Sequence, residues 1–159
     1  MAIAPLSPGD DRAAFRSGSP ALDKYFRSLG PRAAGKGLIA LFVLTLPSAP
    51  APRGFYALSG LTLRLPDLLG ERGPRPSRYP EIAAARLTRL CVDKRHRRQG
   101  LGAALLADAL SRLAALPSPP LAAIADAPSP QARHFYARHG FRAFSDRETQ
   151  MFLALQPAR

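Results

Sequence analysis

The chain has 159 residues, of which 47% are hydrophobic, enough to bury the core of one ordinary domain without disulfides or a metal. Its 23 Lys and Arg against 11 Asp and Glu give a net charge of +12, which favours a polyanionic ligand, although a merely solvated basic surface explains the charge equally well. The longest apolar run, 38–46, is too short to span a membrane. The amino terminus contains Asp10 and Asp11 and lacks the basic segment followed by an apolar stretch that is typical of a secretory signal. We therefore expect a cytoplasmic protein.

The first half of the chain predicts one helix and two paired strands. Ser19-Pro20 combines a helix N-cap with proline at the first helical position, which predicts a helix over 21–29 that ends at Gly30-Pro31. The further predictions are, in order, a strand at 38–46, a proline-rich turn at 47–52, a strand at 54–63, a short helix at 65–69 and a loop at 70–80. The two strands are expected to form a hairpin.

The second half predicts alternating strands and helices. Ser129-Pro130 repeats the cap-plus-proline pattern and opens a helix through 137, closed near Gly140. The other predicted elements are a central strand at 82–92, a long helix at 100–116, a strand at 121–125 and closing strands at 141–144 and 148–155. This order predicts an α/β fold with a mixed sheet, in a single domain that covers 1–159.

Residue types that bind metals are few. Cys91 is the single cysteine, so it cannot form an intramolecular disulfide, and its place in an apolar run favours a small core residue over a reactive thiol. His96, His134 and His139 do not have the spacing of a metal site. The sequence therefore predicts no metal.

The hexapeptide Arg97-Arg98-Gln99-Gly100-Leu101-Gly102 lies between the predicted central strand and the long helix. The first backbone N–H groups of a helix have no internal partner and carry the positive end of its dipole, so they bind phosphate. Its two glycines let a pyrophosphate approach the chain, and its two arginines add charge. Leu105 excludes a dinucleotide-binding fingerprint, and no Gly-Lys-Ser/Thr triplet of a P-loop occurs. An ordinary strand-to-helix connection with solvated arginines is the alternative.

This pattern, Arg/Gln-x-x-Gly-x-Gly/Ala, resembles the pyrophosphate loop of the GNAT superfamily of acetyl-coenzyme A dependent N-acetyltransferases. Two further segments are similar to the same family, namely Arg89-Leu90-Cys91-Val92-Asp93 and Phe135-Tyr136-x-x-x-Gly140-Phe141. Three more resemble its branch of toxins from bacterial toxin and antitoxin pairs, namely Gly54 to Ser59, Leu22-Asp23-x-Tyr25-Phe26 and Tyr79-Pro80. The resemblance covers about 15–155 and implies a central, mixed, mostly antiparallel sheet flanked by helices.

The resemblance also implies an acetyl-coenzyme A site. In the family the loop holds the coenzyme pyrophosphate, the backbone of the preceding strand pairs with the pantetheine arm, and a tyrosine protonates the leaving thiolate. On this chain that general acid is Tyr136, a role open to a phenol. Packing onto the sheet is the preferred interpretation of the Phe135 ring, which is also counted among the coenzyme contacts. The coenzyme contacts implied are Leu90, Cys91, Val92, Arg97, Arg98, Gln99, Gly100, Leu101, Gly102, Ala103 and Phe135.

The toxin branch implies an acceptor and a partner. Its members acetylate the α-amino group of aminoacyl-tRNA, which stops translation, and a ribbon-helix-helix antitoxin restrains them. The net charge of +12 suits a tRNA ligand. The candidate phosphate contacts are Arg89, Arg95, Arg98 and Arg133, each of which is otherwise a solvated surface residue. The antitoxin partner and a homodimer are left open.

The implied reaction is direct attack of a neutral amine on the thioester, so Cys91 is not needed as a nucleophile. The predicted strand 82–92 contains no acid that could serve as a general base, with Glu81 before it and Asp93 after it. An α-amine with a pKa near 8 needs less help than a lysine near 10.4, which favours an aminoacyl acceptor. The alternatives are a GNAT enzyme that acetylates a small amine or a protein N-terminus, and a non-catalytic fold that binds coenzyme A or nucleic acid.

Overall fold

The strands of the described residues form one mixed sheet. The computed structural model describes residues 1–64, 81–144 and 147–155, so the predicted helix at 65–69 and loop at 70–80 lie outside the described residues. The strands are β1 Ala2–Pro5, β2 Ala40–Leu46, β3 Ala49–Arg64, β4 Glu81–Val92, β5 Ala122–Asp126, β6 Arg142–Ala143 and β7 Gln150–Ala154. Their order is β1-β2-β3-β4-β5-β7-β6, with β4 and β5 parallel and the pairs β1–β2, β2–β3, β5–β7 and β6–β7 antiparallel. The predicted mixed sheet and hairpin are confirmed.

The two N-caps predicted from the sequence are confirmed. The helical segments are α1 Pro20–Lys24, a π-helical turn Tyr25–Leu29, α2 Gly30–Gly35, a 3-10 turn Lys94–His96, α3 Leu101–Ala114 and α4 Pro130–Arg138. Ser19 accepts a hydrogen bond from the Leu22 N–H, and Ser129 accepts one from the Ala132 N–H at 3.1 Å. In the described part of the chain, no helix combines the length and apolarity needed to cross a membrane.

The predicted helix end at Gly30-Pro31 is wrong, because the helical path continues through a π turn to Gly35. The Gly30 N–H donates to the Tyr25 oxygen instead of to Phe26, and Pro31 has no N–H to offer Arg27. Two carbonyls would therefore lack their helical donor. Arg12 supplies it, since its Nη1 donates to the Phe26 oxygen at 2.9 Å and to the Arg27 oxygen at 2.7 Å.

Strand β3 begins earlier than predicted, so the proline-rich turn is also shorter than predicted. Ala49 already pairs with Leu46, and the register shifts between Leu44 and Leu46. An irregular ladder accommodates prolines, which cannot donate to it. β1 was not predicted, because its four residues at the sheet edge bury too little to leave an alternating pattern. The predicted strand at 141–144 is reduced to the two residues of β6.

The described residues group into two compact units, one of Met1–Ser59 with Thr88–Ser111 and the other of Gly60–Leu87 with Arg112–Arg159. The first has an aromatic core in which the Phe26 and Phe55 rings stack with their centres 4.2 Å apart. The Phe15 ring contacts both of these rings edge-on. The second is centred on the buried residues Leu63, Ala84, Ala122, Ile124 and Phe144. The extent of the single domain stays a prediction.

Gly54 marks a close backbone approach in the first unit. A Cβ there would lie 2.9 Å from Leu105 Cδ1 and 3.1 Å from the Cys91 oxygen. We expect Gly54→Ala to lower the free energy of unfolding by about 1–3 kcal/mol in urea titrations, the usual cost of overpacking. Gly60→Ala in the same strand is the control, because a Cβ there meets no atom within 4 Å. Equal stability of the two variants would contradict the close approach.

Candidate active site

The hexapeptide forms the predicted loop at the start of a helix. β4 ends at Val92, the 3-10 turn follows, and the Ala104 N–H makes an early α3 hydrogen bond, to the Gly100 oxygen at 3.1 Å. The N–H groups that precede Ala104 in α3 therefore have no partner from the helix itself. Arg98 and Gly100 have φ values of 64° and 76°, so the chain takes two left-handed steps before the helix. Such a loop turns backbone donors toward an anion.

Buried Asp93 anchors the strand end that leads into this loop. Its Oδ2 accepts the Arg16 N–H at 3.0 Å and Arg95 Nη2 at 2.8 Å, and its Oδ1 accepts the backbone N–H and Nε of Arg95, both at 2.9 Å. The side chain is fully buried. These hydrogen bonds, that of the Arg95 side chain above all, hold the pKa of the Asp93 carboxyl well below its usual range. The carboxylate therefore stays charged and links the strand end to the amino-terminal segment.

The candidate phosphate-binding arginines differ in their surroundings. The Arg95 guanidinium lies against Asp93 and also donates to the Ala14 oxygen at 2.8 Å, so its charge is already compensated. The Arg89 guanidinium lies 4.7 Å from the centre of the Tyr25 ring, and Arg133 donates to the Glu148 oxygen at 3.3 Å. Arg98 is exposed on the loop. The phosphate contacts of all four stay predictions, and Arg95 already uses its Nε and Nη2 on Asp93 and Ala14.

Cys91 packs in the first unit as a core residue. It is half-buried against the aromatic core, and burial raises the pKa of its thiol to about 12. A thiol with that pKa is protonated at neutral pH, and only the thiolate is a strong nucleophile. The structure therefore favours the predicted core residue over a reactive thiol.

Tyr136 lies buried on α4, with 4% of its surface exposed. Its ring contacts Phe135 and Phe141, each at 5.1 Å between ring centres, and its backbone oxygen accepts the Phe141 N–H at 3.1 Å where Gly140 ends the helix at φ 91°. Burial and, second, the charge of Asp126 raise the pKa of the Tyr136 phenol. The phenol therefore keeps its proton at neutral pH, as a general acid requires.

The sequence prediction missed a polar cluster at the end of β5. Arg86 donates two hydrogen bonds to the Asp126 carboxylate, from Nε at 3.2 Å and from Nη2 at 3.0 Å. Gln150 Nε2 donates a third to the same carboxylate at 3.2 Å. Arg86 pairs with Ile124 across the parallel strands, two residues before Asp126, so the two side chains share one sheet face. A basic residue inside an apolar strand run was the available signal.

Comparisons with known proteins address the class of this site. A family model described as an acetyltransferase (GNAT) domain matches residues 80–157. A tRNA-acetylating toxin of Mycobacterium tuberculosis (strain ATCC 25618 / H37Rv) is 33% identical over 157 residues, which cover 97% of this chain and 92% of that protein. The structure of AtaT complexed with acetyl-methionyl-tRNAfMet is 22% identical, with a TM-score of 0.81 and coverage of 96% of this chain and 94% of that chain. A mutant AtaT toxin bound to the C-terminus of the antitoxin AtaR and acetyl-CoA is also 22% identical, with a TM-score of 0.79 and coverage of 96% and 92%.

The matching family model and the 33% identical relative identify the protein as an acyltransferase. With the likeness over nearly the whole chain, the protein belongs to the GNAT acetyltransferases, in the branch that contains the tRNA-acetylating toxins.

The depressed pKa of Asp93 makes stability depend on pH. Because the carboxyl has a lower pKa in the folded state than its unfolded value of about 4, its contribution is present at neutral pH and is lost on acidification. We expect Asp93→Asn to lower Tm by roughly 3–8 °C at pH 7. The difference in Tm between the variant and the unsubstituted protein, which we call the gap, should narrow below about pH 4. Thermal unfolding of both proteins from pH 3 to pH 8 tests this. A gap that stayed constant across this range would contradict a charge effect.

The left-handed backbone of Arg98 predicts a stabilising substitution. At φ 64° a residue with a Cβ is disfavoured by about 1–2 kcal/mol, which glycine avoids. We expect Arg98→Gly to raise the free energy of unfolding in urea by about 1 kcal/mol. Arg98→Ala removes the same charge but keeps the Cβ, so it should leave stability near that of the unsubstituted protein. Equal stability of the two variants would refute the backbone explanation.

Proposed function

We propose that this protein transfers the acetyl group of acetyl-coenzyme A to the α-amino group of aminoacyl-tRNA. The observation that carries the proposal is the 33% identity to a tRNA-acetylating toxin over 157 residues. The net charge of +12 supports a polyanionic acceptor. The structures of AtaT with acetyl-methionyl-tRNAfMet and, in a mutant, with acetyl-CoA support the same pair of substrates in proteins of this fold.

In this proposal the loop and the end of β4 bind the coenzyme. The N–H groups that open α3 and the side chains of Arg97, Arg98 and Gln99 bind the pyrophosphate, and the backbone of Leu90–Val92 pairs with the pantetheine arm. The exposure of Arg97 to Gly100 and the partial burial of Leu90 to Val92 support this division. A charged pyrophosphate needs an accessible loop, whereas the amides of the pantetheine arm need the backbone groups of a strand.

The chemical step needs one proton donor. The lone pair of the neutral amine attacks the thioester carbon, the C–S bond breaks, and Tyr136 gives its proton to the coenzyme sulfur. The acceptor nitrogen loses one proton to solvent, and the Tyr136 phenolate takes one up from solvent. Burial disfavours the phenolate of Tyr136. Desolvation disfavours the coenzyme thiolate in the same way. Proton transfer from the phenol to the thiolate is therefore less unfavourable than the pKa values of the two groups in water suggest.

We also propose the cytoplasm as the location, since aminoacyl-tRNA is found there, and an antitoxin as the partner. The mutant AtaT toxin bound to the C-terminus of its antitoxin supports a partner of this kind.

Radiolabelled acetyl-coenzyme A and total aminoacyl-tRNA test the acceptor. We expect label in the RNA fraction that leaves with the amino acid on mild alkaline deacylation. A parallel panel of small amines and peptides with free N-termini serves as the comparison. Label in those acceptors alone would replace tRNA with a small-amine or protein substrate, and coenzyme binding without any turnover would make the protein a binding module.

Tyr136→Phe tests the general acid. We expect kcat to fall by about 10²-fold or more with the affinity for coenzyme A retained, because only the proton donor is removed. Tyr25→Phe is the matched control, since it removes one phenol hydroxyl but keeps the ring that lies against Arg89. An unchanged kcat in Tyr136→Phe would exclude the phenol from the mechanism.

A further inference from the structure

The guanidinium of Arg97 is attached to the amino-terminal segment. Its Nη2 donates to the backbone oxygen of Ser17. Gly18 carries the chain through a left-handed turn at this point, with a φ of 94°, and a Cβ there would lie at an ordinary contact distance of 3.4 Å from Arg97 Nη2. The arginine that leads into the phosphate loop is therefore oriented by a backbone carbonyl of another segment.

Ser17 is held by a buried carboxylate. Its N–H donates to Asp23 Oδ1 at 2.8 Å, and its Oγ donates to the Ser19 oxygen at 3.1 Å while it accepts the Ser19 N–H at 3.0 Å. Ser17 and Asp23 are only 4% and 7% exposed. Burying a carboxylate costs free energy unless it accepts hydrogen bonds, so the hydrogen bond from the Ser17 N–H stabilises Asp23 and holds Ser17 in place.

The other side of the same segment is attached to the strand end. The Arg16 N–H donates to Asp93 Oδ2 at 3.0 Å, and the Lys94 N–H donates to the Arg16 oxygen at 2.8 Å. Residues 16–19 are therefore fixed between α1 and the start of the loop. A flexible arginine loses rotamer freedom when it binds a ligand, and an anchor made beforehand removes part of that cost.

We propose that Asp23 is a positioning residue for the coenzyme, because by holding Ser17 it sets the Arg97 guanidinium at the pyrophosphate loop. This inference rests on the proposed function, since the pyrophosphate belongs to acetyl-coenzyme A. Asp23 acts through Ser17 and Arg97, and its role is distinct from that of the loop N–H groups, which contact the anion themselves.

A double-mutant cycle tests the proposal by calorimetric titration with acetyl-coenzyme A. We expect Asp23→Ala to raise Kd about tenfold, and Asp23→Asn, which keeps an acceptor oxygen, to stay within about threefold. In an Arg97→Met background, Asp23→Ala should have no further effect on Kd. Tm values of the same samples show that the variants are folded.

Several outcomes separate this inference from the proposed function. An unchanged Kd in Asp23→Ala, or an equal loss in the Arg97→Met background, overturns the positioning role while the enzyme still binds its coenzyme. Should Asp23→Ala fail to fold, Arg97→Met alone removes the guanidinium that the segment orients, and a Kd equal to that of the unsubstituted protein overturns the inference. A failure of the unsubstituted protein to bind acetyl-coenzyme A overturns the proposed function itself.

Discussion

The buried carboxylate of Asp93 fixes the geometry of the first unit at the end of β4. It accepts four hydrogen bonds from two arginines at the point where β4 ends, and its own N–H donates to the Arg53 oxygen at 2.9 Å. Three of the four come from Arg95, the fourth comes from Arg16, and Arg53 lies in β3, so these bonds join the strand end to the amino-terminal segment and to the turn that leads into the loop. A charge in a dry environment makes such an anchor stiff, since leaving any donor unpaired is expensive.

The second unit uses the same principle with a different result. Asp126 is held by Arg86 and Gln150, and its field adds to burial in keeping Tyr136 protonated. Burial is the larger of these two causes, and the charge of Asp126 is the smaller. Each unit thus surrounds a carboxylate with hydrogen-bond donors: Asp93 holds backbone, and Asp126 lies near the proton donor Tyr136.

The sequence predicted those features that depend on local chemistry. Ser19-Pro20 and Ser129-Pro130 identify helix starts because a cap involves neighbours, and the loop at 97–102 follows from glycine and helix polarity alone. The path through Pro31, the contact of Arg97 with Ser17 and the pairing of Arg86 with Asp126 join residues far apart in sequence. No periodicity encodes such contacts, so they emerged only from the fold. The left-handed φ of Arg98 was hidden for a related reason, since arginine is not a residue that marks such a turn.

The donors that Arg12 gives to Phe26 and Arg27 make the helical path across Pro31 a product of tertiary structure. A peptide cut from residues 19–36 would lack Arg12, so the carbonyls of Phe26 and Arg27 would lose the donors that this arginine gives them beside Pro31. During synthesis Arg12 leaves the ribosome before those carbonyls do. The Arg12 guanidinium is therefore available before the carbonyls of Phe26 and Arg27 are synthesised, so this helix can be completed as soon as it emerges.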